Sequence, residues 1–597
     1  MNQEPARRPE AQQRLEALRA VLDQGGLDGF ILPRGDEHLG EYVAAGSERL
    51  AWLTGFTGSA GLAIVLHGEA AVFSDGRYVL QLATQTDPAF WAREHLIETP
   101  PENWLAARFK DRSGLVGYDP WLISQEQLAR FAKPGVTLVP LSSNPVDAVW
   151  LDRPPAPLEP AIPHTLDHAG QASAEKRAAI AAILRERGEN GVVLTDPASI
   201  AWLLNIRGGD VPFTPLALGF ALLREDETVT LFMDPRKIPP GTRQWLGNGV
   251  QIEPATALAP ALARLSGQTI RLDAGGSAVW FAQRLDEAGA TVSAGADPCL
   301  LPKARKNVAE QEGARTAHHR DGVALCRFLH WLDEHGVGSS ESAAAARLDA
   351  CRAASPLYRG ESFPAISGSG PNGAIIHYRV TPETDRVLQA DEVYLIDSGG
   401  QYPDGTTDVT RTVWTGPGRP PASLQDHFTR VLQGHIALAA ARFPAGTTGA
   451  SLDVLARLPL WQAGLDYDHG TGHGIGSYLS VHEGPCSIHP RGKAIAIETG
   501  MILSDEPGYY RTGAYGIRIE NLLLACRLEI PDALKPFLGF ETLTLAPLDT
   551  RLINPGMLNN FERDWINAYH ARVFAELGHA LEPETREWLA KACNPLG

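Results

Sequence analysis

Cysteine is scarce in this sequence. Only six of the 597 residues are cysteine, their spacing is irregular, and none forms a Cys-x-x-Cys pair. The chain therefore lacks both a recognisable disulfide framework and the cysteine clusters that hold structural zinc. We expect six free thiols in a reducing compartment.

Long apolar runs and excess positive charge are also missing. No run approaches the roughly 20 apolar residues of a membrane span. The N-terminal stretch "MNQEPARRPEAQQRLEALRAV" has no apolar core of signal-peptide length. The 53 basic and 70 acidic side chains give a formal net charge of −17, which argues against general binding to nucleic acid or to anionic membranes. We expect a cytoplasmic protein with neither kind of partner.

The length predicts three or more domains, because 597 residues are too many for one core. The proline-rich stretch "RPPAPLEPAIP" predicts a first linker. A second break falls near "DPCLLPKARKN", whose last residue, Asn307, together with Glu310 resembles a capping box that begins a long helix. The predicted domains are 1–163, 164–304 and 305–597, the last with a helical extension from about residue 535.

The first two predicted domains share sequence patterns. "LAWLTGFTG" is echoed by "IAWLLNIRG", and "EAAVFSDGRY" is echoed in the same order by "TVTLFMDPRK". These echoes favour a duplicated α/β domain over two unrelated α/β domains with chance similarity. The third region is glycine-rich and mixed in its periodicity, as expected for an α+β domain.

The third region also contains the residues most suited to chemistry. Asp397 ends the apolar stretch "VYLID", and Asp408 follows eleven positions later in "GTTDVTRT". That spacing predicts two adjacent antiparallel strands with both carboxylates on one face. Glu506 ends "ILSDE", Glu520 lies in the alternating stretch "GIRIENLLL", and His473 lies in "GTGHGIG".

Four carboxylates and one imidazole suit a particular class of metal site. Such an oxygen-rich set favours Mn²⁺ and, less securely, Co²⁺, Zn²⁺ or Fe²⁺. The carboxylates would repel one another without cations, and two divalent ions would balance their charge, as in a two-metal hydrolase. Each stretch alone is more typical of an ordinary turn or loop. The prediction depends on finding five of them in one region.

The motifs carry a family resemblance. "LIDSG", "TTDVTRT", "HGTGHGIG", "DEPGYY" and "IRIEN" occur in the order found in the pita-bread metallopeptidases, together with "GPNGAIIHYR" and "VHEGP". With the doubled domain and the tail "DWINAYH", the chain resembles the three-domain Xaa-Pro aminopeptidases. The resemblance implies two creatinase-like α/β domains followed by a pita-bread catalytic domain. It also implies a homodimer that removes the N-terminal residue from peptides with proline in second position.

The resemblance implies a ligand set for two Mn²⁺ ions per subunit, with Co²⁺ or Zn²⁺ as possible substitutes. Asp397 would chelate one ion, and His473 and Glu506 would hold the other. Asp408 and Glu520 would bridge the two. A water or hydroxide bridging the ions would attack the carbonyl before proline.

Catalytic and substrate-binding roles follow from the same resemblance. Glu506 would accept a proton and pass it toward the leaving imino nitrogen. His377 would contact the substrate around the scissile bond, His482 would steady the oxyanion, and His469 would line the proline side of the pocket.

Arg518 is a further candidate, drawn from the residue pattern. It lies two positions before Glu520, so both side chains are predicted on one face of a strand. It could pair with a metal-binding carboxylate such as Asp408. The alternative is a solvated arginine.

Other functions remain open at this stage. A prolidase would cut only Xaa-Pro dipeptides, and prolidase-like chains usually carry one N-terminal domain rather than two. A creatinase-like enzyme is disfavoured because creatinase lacks the full ligand set. A scaffold that has lost its ligands is also disfavoured, because all five predicted ligands are present.

Overall fold

The computed structural model describes residues 7–597, which form two compact units. The first unit comprises the chain up to His164 and Gln171–Cys299. The second comprises Thr165–Gly170 and Leu300–Gly597.

Both units contain α-helices and β-strands. The α-helices are α1 Arg7–Gln24, α2 Arg49–Thr54, α3 Val79–Gln85, α4 Pro101–Arg108, α5 Gln125–Arg130, α6 Pro145–Val149, α7 Leu166–Ala169, α8 Ser173–Arg187, α9 Pro197–Leu204, α10 Pro240–Leu246, α11 Leu258–Leu262, α12 Val279–Glu287, α13 Leu300–Ala304, α14 Val308–His335, α15 Glu341–Ala353, α16 Ala422–Ala439, α17 Gly449–Trp461, α18 Asn560–Leu577 and α19 Pro583–Ala592. The strands are β1 Gly29–Pro33, β2 Leu62–Leu66, β3 Ala70–Ser74, β4 Ala92–His95, β5 Gly114–Tyr118, β6 Val136–Pro140, β7 Ile162–Pro163, β8 Gly191–Leu194, β9 Ile206–Arg207, β10 Phe220–Arg224, β11 Val229–Phe232, β12 Val250–Glu253, β13 Thr269–Leu272, β14 Thr291–Ala294, β15 Ile366–Ser369, β16 Glu392–Ser398, β17 Gln401–Tyr402, β18 Gly405–Thr406, β19 Val409–Thr415, β20 Phe443–Pro444, β21 Gly472–Gly474, β22 Glu483–Ile488, β23 Ile502–Asp505, β24 Gly508–Arg511, β25 Tyr515–Arg518, β26 Asn521–Leu528 and β27 Phe537–Thr542.

The first unit contains two six-stranded sheets with one topology. Their strand orders are β4-β3-β2-β1-β5-β6 and β12-β11-β10-β8-β13-β14. Each central strand, β1 or β8, pairs antiparallel with one neighbour and parallel with the other. β1 has the sequence GFILP, and its Phe30, Ile31 and Leu32 are fully buried, as expected for a strand covered on both faces. The shared topology agrees with the predicted duplication.

The second unit is built on two larger sheets with helices packed against them. β15, β16 and β19 form a three-stranded sheet, and a six-stranded sheet has the order β20-β27-β26-β23-β21-β22. The long helix α14 begins at the predicted capping box. The Asn307 side chain accepts from the Ala309 and Glu310 N–H groups, and Glu310 accepts from the Asn307 N–H.

The C-terminal segment differs from its predicted form. We expected a helical extension from about residue 535, but β27 occupies 537–542 and pairs with β26. The two predicted helices, α18 and α19, follow only at Asn560. Ile566 and Val573 of α18 are fully buried with the core residues of α16. The tail is therefore part of the core of the second unit.

Cys326, Cys351, Cys486, Cys526 and Cys593 are free thiols, and all of these except Cys526 are buried. Within the described residues, none of the helices combines the length and apolarity that a membrane span requires.

Candidate metal centre

Two neighbouring strands bring Asp397 and Asp408 together. β16 and β19 pair antiparallel with Asp397 opposite Thr410, and Asp408 immediately precedes β19. The chain between them forms the small β17–β18 hairpin. Both carboxylates are buried. The predicted antiparallel arrangement is present, with the turn forming its own hairpin.

Glu506 and Glu520 lie at the ends of strands rather than inside them. Glu506 directly follows β23. We expected Glu520 within one continuous strand, but that prediction is wrong. The chain changes partner there: β25 pairs with β24, whereas β26 pairs with β23. Ile519 and Glu520 form the break between β25 and β26.

His473 lies on β21 and faces the carboxylates. Its Nδ1 is 3.0 Å from the Gly474 carbonyl oxygen, which can only accept, so Nδ1 carries the hydrogen. Its Nε2 lies 3.5 Å from Asp408 Oδ2 and 3.4 Å from Glu506 Oε1. A ring nitrogen between two carboxylate oxygens is suited to share a cation with them.

The glycines around His473 leave room for neighbouring backbone. A Cβ on Gly472 would lie 2.0 Å from the Ser504 carbonyl oxygen, and one on Gly474 would lie 2.2 Å from that of Glu483. These glycines therefore permit close approach of the neighbouring strands β23 and β22.

The carboxylates lie close enough together for strong mutual repulsion in a largely buried site. Burial raises the pKa of Asp408 and of Glu520 well above the usual range, and the neighbouring carboxylate charges add to that effect. Burial also raises the pKa of Glu506, to about 7, although the charge of Arg518 opposes the shift. Such a cluster is stabilised by added positive charge.

The donor set fits divalent cations. Ligand atoms of Asp408, His473 and Glu520 lie within 4.8 Å of one another. Oδ1 of Asp397 and Oδ1 of Asp408 are buried without a hydrogen-bond partner, an expensive condition for a carboxylate. Carboxylates and one imidazole suit Mn²⁺ and similar ions. These residues could hold the two ions that the sequence predicts.

Arg518 pairs with Asp397 rather than with the suggested Asp408. Its Nη2 donates to Asp397 Oδ2 at 2.7 Å, and its Nε donates to Thr410 Oγ1 at 3.2 Å. The Thr410 hydroxyl in turn donates to Glu520 Oε2 at 2.7 Å. The arginine is buried, so the solvated alternative is excluded.

Tyr510 connects the arginine to one of the predicted histidines. Arg518 Nη1 donates to the Tyr510 hydroxyl at 2.6 Å, and that hydroxyl lies 2.8 Å from His469 Nε2. His469 Nδ1 lies 2.8 Å from the Gly470 carbonyl oxygen. Burial raises the pKa of Tyr510 to about 12, so the phenol remains neutral at physiological pH.

The other two histidines are half-buried. The His482 ring lies 4.3 Å from the His473 ring, in an edge-to-face arrangement, and its charge when protonated lowers the pKa of Glu506. His377 follows the 3-10 helix Gly370–Ala374. In that helix the Gly373 carbonyl lies so close to Gly516 that a Cβ on Gly516 would be 1.7 Å from it. This contact brings the segment before His377 against β25.

Sequence reasoning missed Thr410 and Tyr510. The signal for Thr410 was the period of two along a strand, because Thr410 lies two positions after Asp408. Tyr510 lies on β24, a different strand from the one that Glu506 follows, and no such pattern marks it. Tyr509, by contrast, packs against His427 with ring centroids 4.4 Å apart.

Sequence reasoning also missed Glu341, a buried carboxylate that contacts the segment before and after His377. Glu341 accepts from the backbone and hydroxyl of Ser369, from the Asn372 amide and from the Tyr378 hydroxyl. These bonds fix the segment on both sides of the 3-10 helix.

Comparison with known proteins identifies the family. Residues 312–525 match the model of metallopeptidase family M24, and 536–596 match the C-terminal region of peptidase M24. Residues 14–149 and 152–310 each match the creatinase/prolidase N-terminal domain. The chain is 40% identical to the probable Xaa-Pro aminopeptidase P of Laccaria bicolor, over 98% of this chain and 93% of that protein. The chain belongs to metallopeptidase family M24.

Two solved structures share the fold of this chain in whole or in part. The crystal structure of X-prolyl aminopeptidase from Caenorhabditis elegans, described as a cytosolic enzyme with a di-nuclear active site, matches with a TM-score of 0.93 and 33% identity, covering 98% of this chain and 100% of that one. A prolidase from Thermococcus sibiricus matches with a TM-score of 0.52 and 22% identity, covering 63% of this chain and 98% of its own. The predicted fold, two creatinase-like domains before a pita-bread domain, is thereby confirmed.

Proposed function

We propose that this M24 metallopeptidase is an Xaa-Pro aminopeptidase, which hydrolyses the bond between an N-terminal residue and a following proline. The observation that carries the proposal is the buried set of four carboxylates and His473, in a chain that matches aminopeptidase P proteins over nearly its whole length. The enzyme is a hydrolase and an exopeptidase.

Two divalent cations complete the site, and we propose Mn²⁺ as the ion used. Asp397, Asp408, Glu506, Glu520 and His473 would hold them. When bound, the cations activate a water molecule and polarise the scissile carbonyl. Oxygen-rich ligand sets with one imidazole favour Mn²⁺, although Co²⁺ or Zn²⁺ could replace it. Metal analysis of the protein as isolated from its own cells would identify the ion.

The side chains supply proton transfer and orientation. Glu506 accepts the proton of the attacking water and delivers it to the proline nitrogen as the C–N bond breaks. His482, beside His473, donates a hydrogen bond to the oxyanion. His377 contacts the substrate around the scissile bond, and His469 lines the proline side. The products are a free amino acid and a peptide that begins with proline.

A peptide bond to proline suits such a site. Its nitrogen carries no hydrogen, so an enzyme that grips a substrate N–H cannot use it. Recognition through the free amine and the scissile carbonyl has no such requirement. The runner-up function is prolidase, but the solved prolidase covers only 63% of this chain, whereas two creatinase-type domains precede the catalytic region here.

Hydrolysis of three peptides tests the proposal. The chelated chain, resupplied with Mn²⁺, is incubated separately with Arg-Pro-Pro, Arg-Pro and Arg-Ala-Ala. Release of arginine from Arg-Pro-Pro alone supports an Xaa-Pro aminopeptidase, whereas cleavage of Arg-Pro alone would reassign the chain to prolidase. Cleavage of none, with any divalent metal, would reopen the scaffold alternative. Glu506→Gln should be inactive, and Glu498→Gln, which alters an exposed ion pair with Arg305, is the matched control.

We further propose a cytoplasmic homodimer. The Caenorhabditis elegans enzyme is described as cytosolic, and Cys326, Cys351, Cys486, Cys526 and Cys593 of this chain are free thiols. Sedimentation of the full chain should give twice its 64.3 kDa mass. A truncation near residue 535 is unsuitable for this test, because it would remove the buried residues of α18.

A further inference from the structure

A buried arginine, Arg411, lies against the backbone of Glu520. Its Nη1 donates to the Glu520 carbonyl oxygen at 2.7 Å and to the Thr410 carbonyl oxygen at 2.9 Å. Its Nη2 donates to Asn521 Oδ1 at 2.8 Å. The Thr410 hydroxyl bonds the Glu520 carboxylate itself. One guanidinium thus holds both segments that meet at this carboxylate.

The Arg411 charge has no direct anionic partner. Its other bonds go to the carbonyl oxygens of Pro547 and Ala546, at 3.1 and 2.9 Å, and to the Tyr569 hydroxyl, at 3.0 Å. Throughout residues 7–597, no carboxylate is among its hydrogen-bond partners. Burying such a cation costs stability, so its presence points to a use for its fixed geometry or its charge. The nearest group that needs a fixed geometry is the carboxylate cluster, of which Glu520 is a member.

The C-terminal region contributes Tyr569 to the hydrogen bonds around Arg411. Tyr569 lies on α18, and its ring stacks on Trp565 with centroids 5.3 Å apart. Its hydroxyl accepts from Arg411 and lies within donating distance of the Thr544 and Ala546 carbonyl oxygens, at 3.0 and 2.9 Å. Both aromatic packing and hydrogen bonds therefore fix the phenol against Arg411.

We propose that Arg411 and Tyr569 are positioning residues of the metal centre. Through them the C-terminal region holds the Glu520 carboxylate in the orientation that divalent cations require. The inference rests on the proposed function only in taking Glu520 as a metal ligand. It gives α18 a role in the reaction beyond packing, although neither residue touches substrate.

Titration of the metal-free full-length chain with Mn²⁺ tests the role directly. Tyr569→Phe keeps the ring and removes only the hydroxyl. Val573→Ala is the matched control, because it removes buried methyl groups one turn further along α18 without altering a bond to Arg411. Calorimetry gives the affinity and stoichiometry for Mn²⁺, thermal unfolding gives the stability, and Arg-Pro-Pro hydrolysis gives kcat and KM separately.

Tyr569→Phe should weaken Mn²⁺ binding by about tenfold, the usual effect of losing a residue that orients a ligand. At saturating Mn²⁺ it should lower kcat and leave KM within about twofold, because the substrate contacts are intact. Val573→Ala should lower the unfolding temperature at least as much and leave both Mn²⁺ affinities unchanged. Arg411→Met should weaken binding more, if that chain folds.

Two results would overturn the inference. One is wild-type Mn²⁺ affinity in Tyr569→Phe, and the other is an equal loss of affinity in Val573→Ala, which would make the effect one of general stability. Failure of the proposed function looks different: the wild-type chain would bind Mn²⁺ but release no arginine, and the binding comparison would still decide the positioning role.

Discussion

The guanidinium of Arg518 lies 2.7 Å from the carboxylate of Asp397, and both groups are buried. The same guanidinium bonds Thr410 and Tyr510, which in turn contact Glu520 and His469. One cation therefore sets the positions of two metal-ligand candidates and one substrate-contact candidate.

Arg518→Lys should keep the charge and lose this geometry. An ammonium group cannot present the planar fork that reaches Asp397, Thr410 and Tyr510 together. We expect Mn²⁺ affinity to fall by about 10–100-fold in calorimetric titration. Arg527→Lys, an exposed position on β26, is the control and should bind as the wild type does. Unchanged affinity in Arg518→Lys would show that the pair is dispensable.

Substitutions of His473 and His482 should have different effects, the first on metal binding and the second on the rate of hydrolysis. His473→Gln removes the nitrogen that faces Asp408 and Glu506, so Mn²⁺ stoichiometry should fall below two per chain. His482→Gln should bind both ions and lose about 100-fold in kcat, the effect of removing one oxyanion donor. If His482→Gln also loses metal, its assignment to the oxyanion is wrong.

Removal of metal should destabilise the chain. Burial raises the pKa values of Asp408 and Glu520, the neighbouring carboxylate charges add to the shift, and the carboxylates repel one another without cations. Adding Mn²⁺ at about 100 times its dissociation constant should raise the unfolding free energy by about 2.7 kcal/mol for each site filled. Asp408→Asn should lose most of this rise in a thermal-shift titration. An unfolding temperature of the wild-type chain that is the same with and without Mn²⁺ would contradict the account.

His570 makes stability depend on pH. Burial and the Arg411 charge lower its pKa to about 4, and its Nε2 accepts from the Leu548 N–H at 3.0 Å. The unfolded chain takes up this proton near pH 6.5 and the folded chain only near pH 4, so the contribution is complete above 6.5 and is lost as pH falls toward 4. Relative to His570→Gln, the wild type should lose about 3 kcal/mol of unfolding free energy across that range.

Denaturant titrations at each pH check this prediction. His335→Gln, at an exposed position, is the control and should follow the wild-type profile. If the unfolding free energies of the wild type and of His570→Gln change with pH in parallel, His570 is not the cause of the pH dependence.

The sequence alone could predict much of the candidate ligand set. Asp397 and Asp408 follow from strand periodicity and a short connection, which are local properties. The break at Glu520 was not predicted, because it arises from the different partner strands of β25 and β26, which pair with β24 and β23 respectively.

Contacts between distant segments were also beyond sequence reasoning. Arg518 and Asp397 are 121 positions apart, and Arg411 and Tyr569 are 158 apart. Which partner each arginine takes depends on how sheets and helices pack, and no local pattern records it. The position of Thr410, two residues after Asp408, was accessible through the period of two, but its partners were not.

Activity measured against added metal tests the central claim most directly. Metal-free protein is titrated with Mn²⁺ while arginine release from Arg-Pro-Pro is followed. The account predicts no release without metal and a rise that ends at two equivalents per chain. Full activity without metal, or a plateau at one equivalent, would contradict a two-metal Xaa-Pro aminopeptidase.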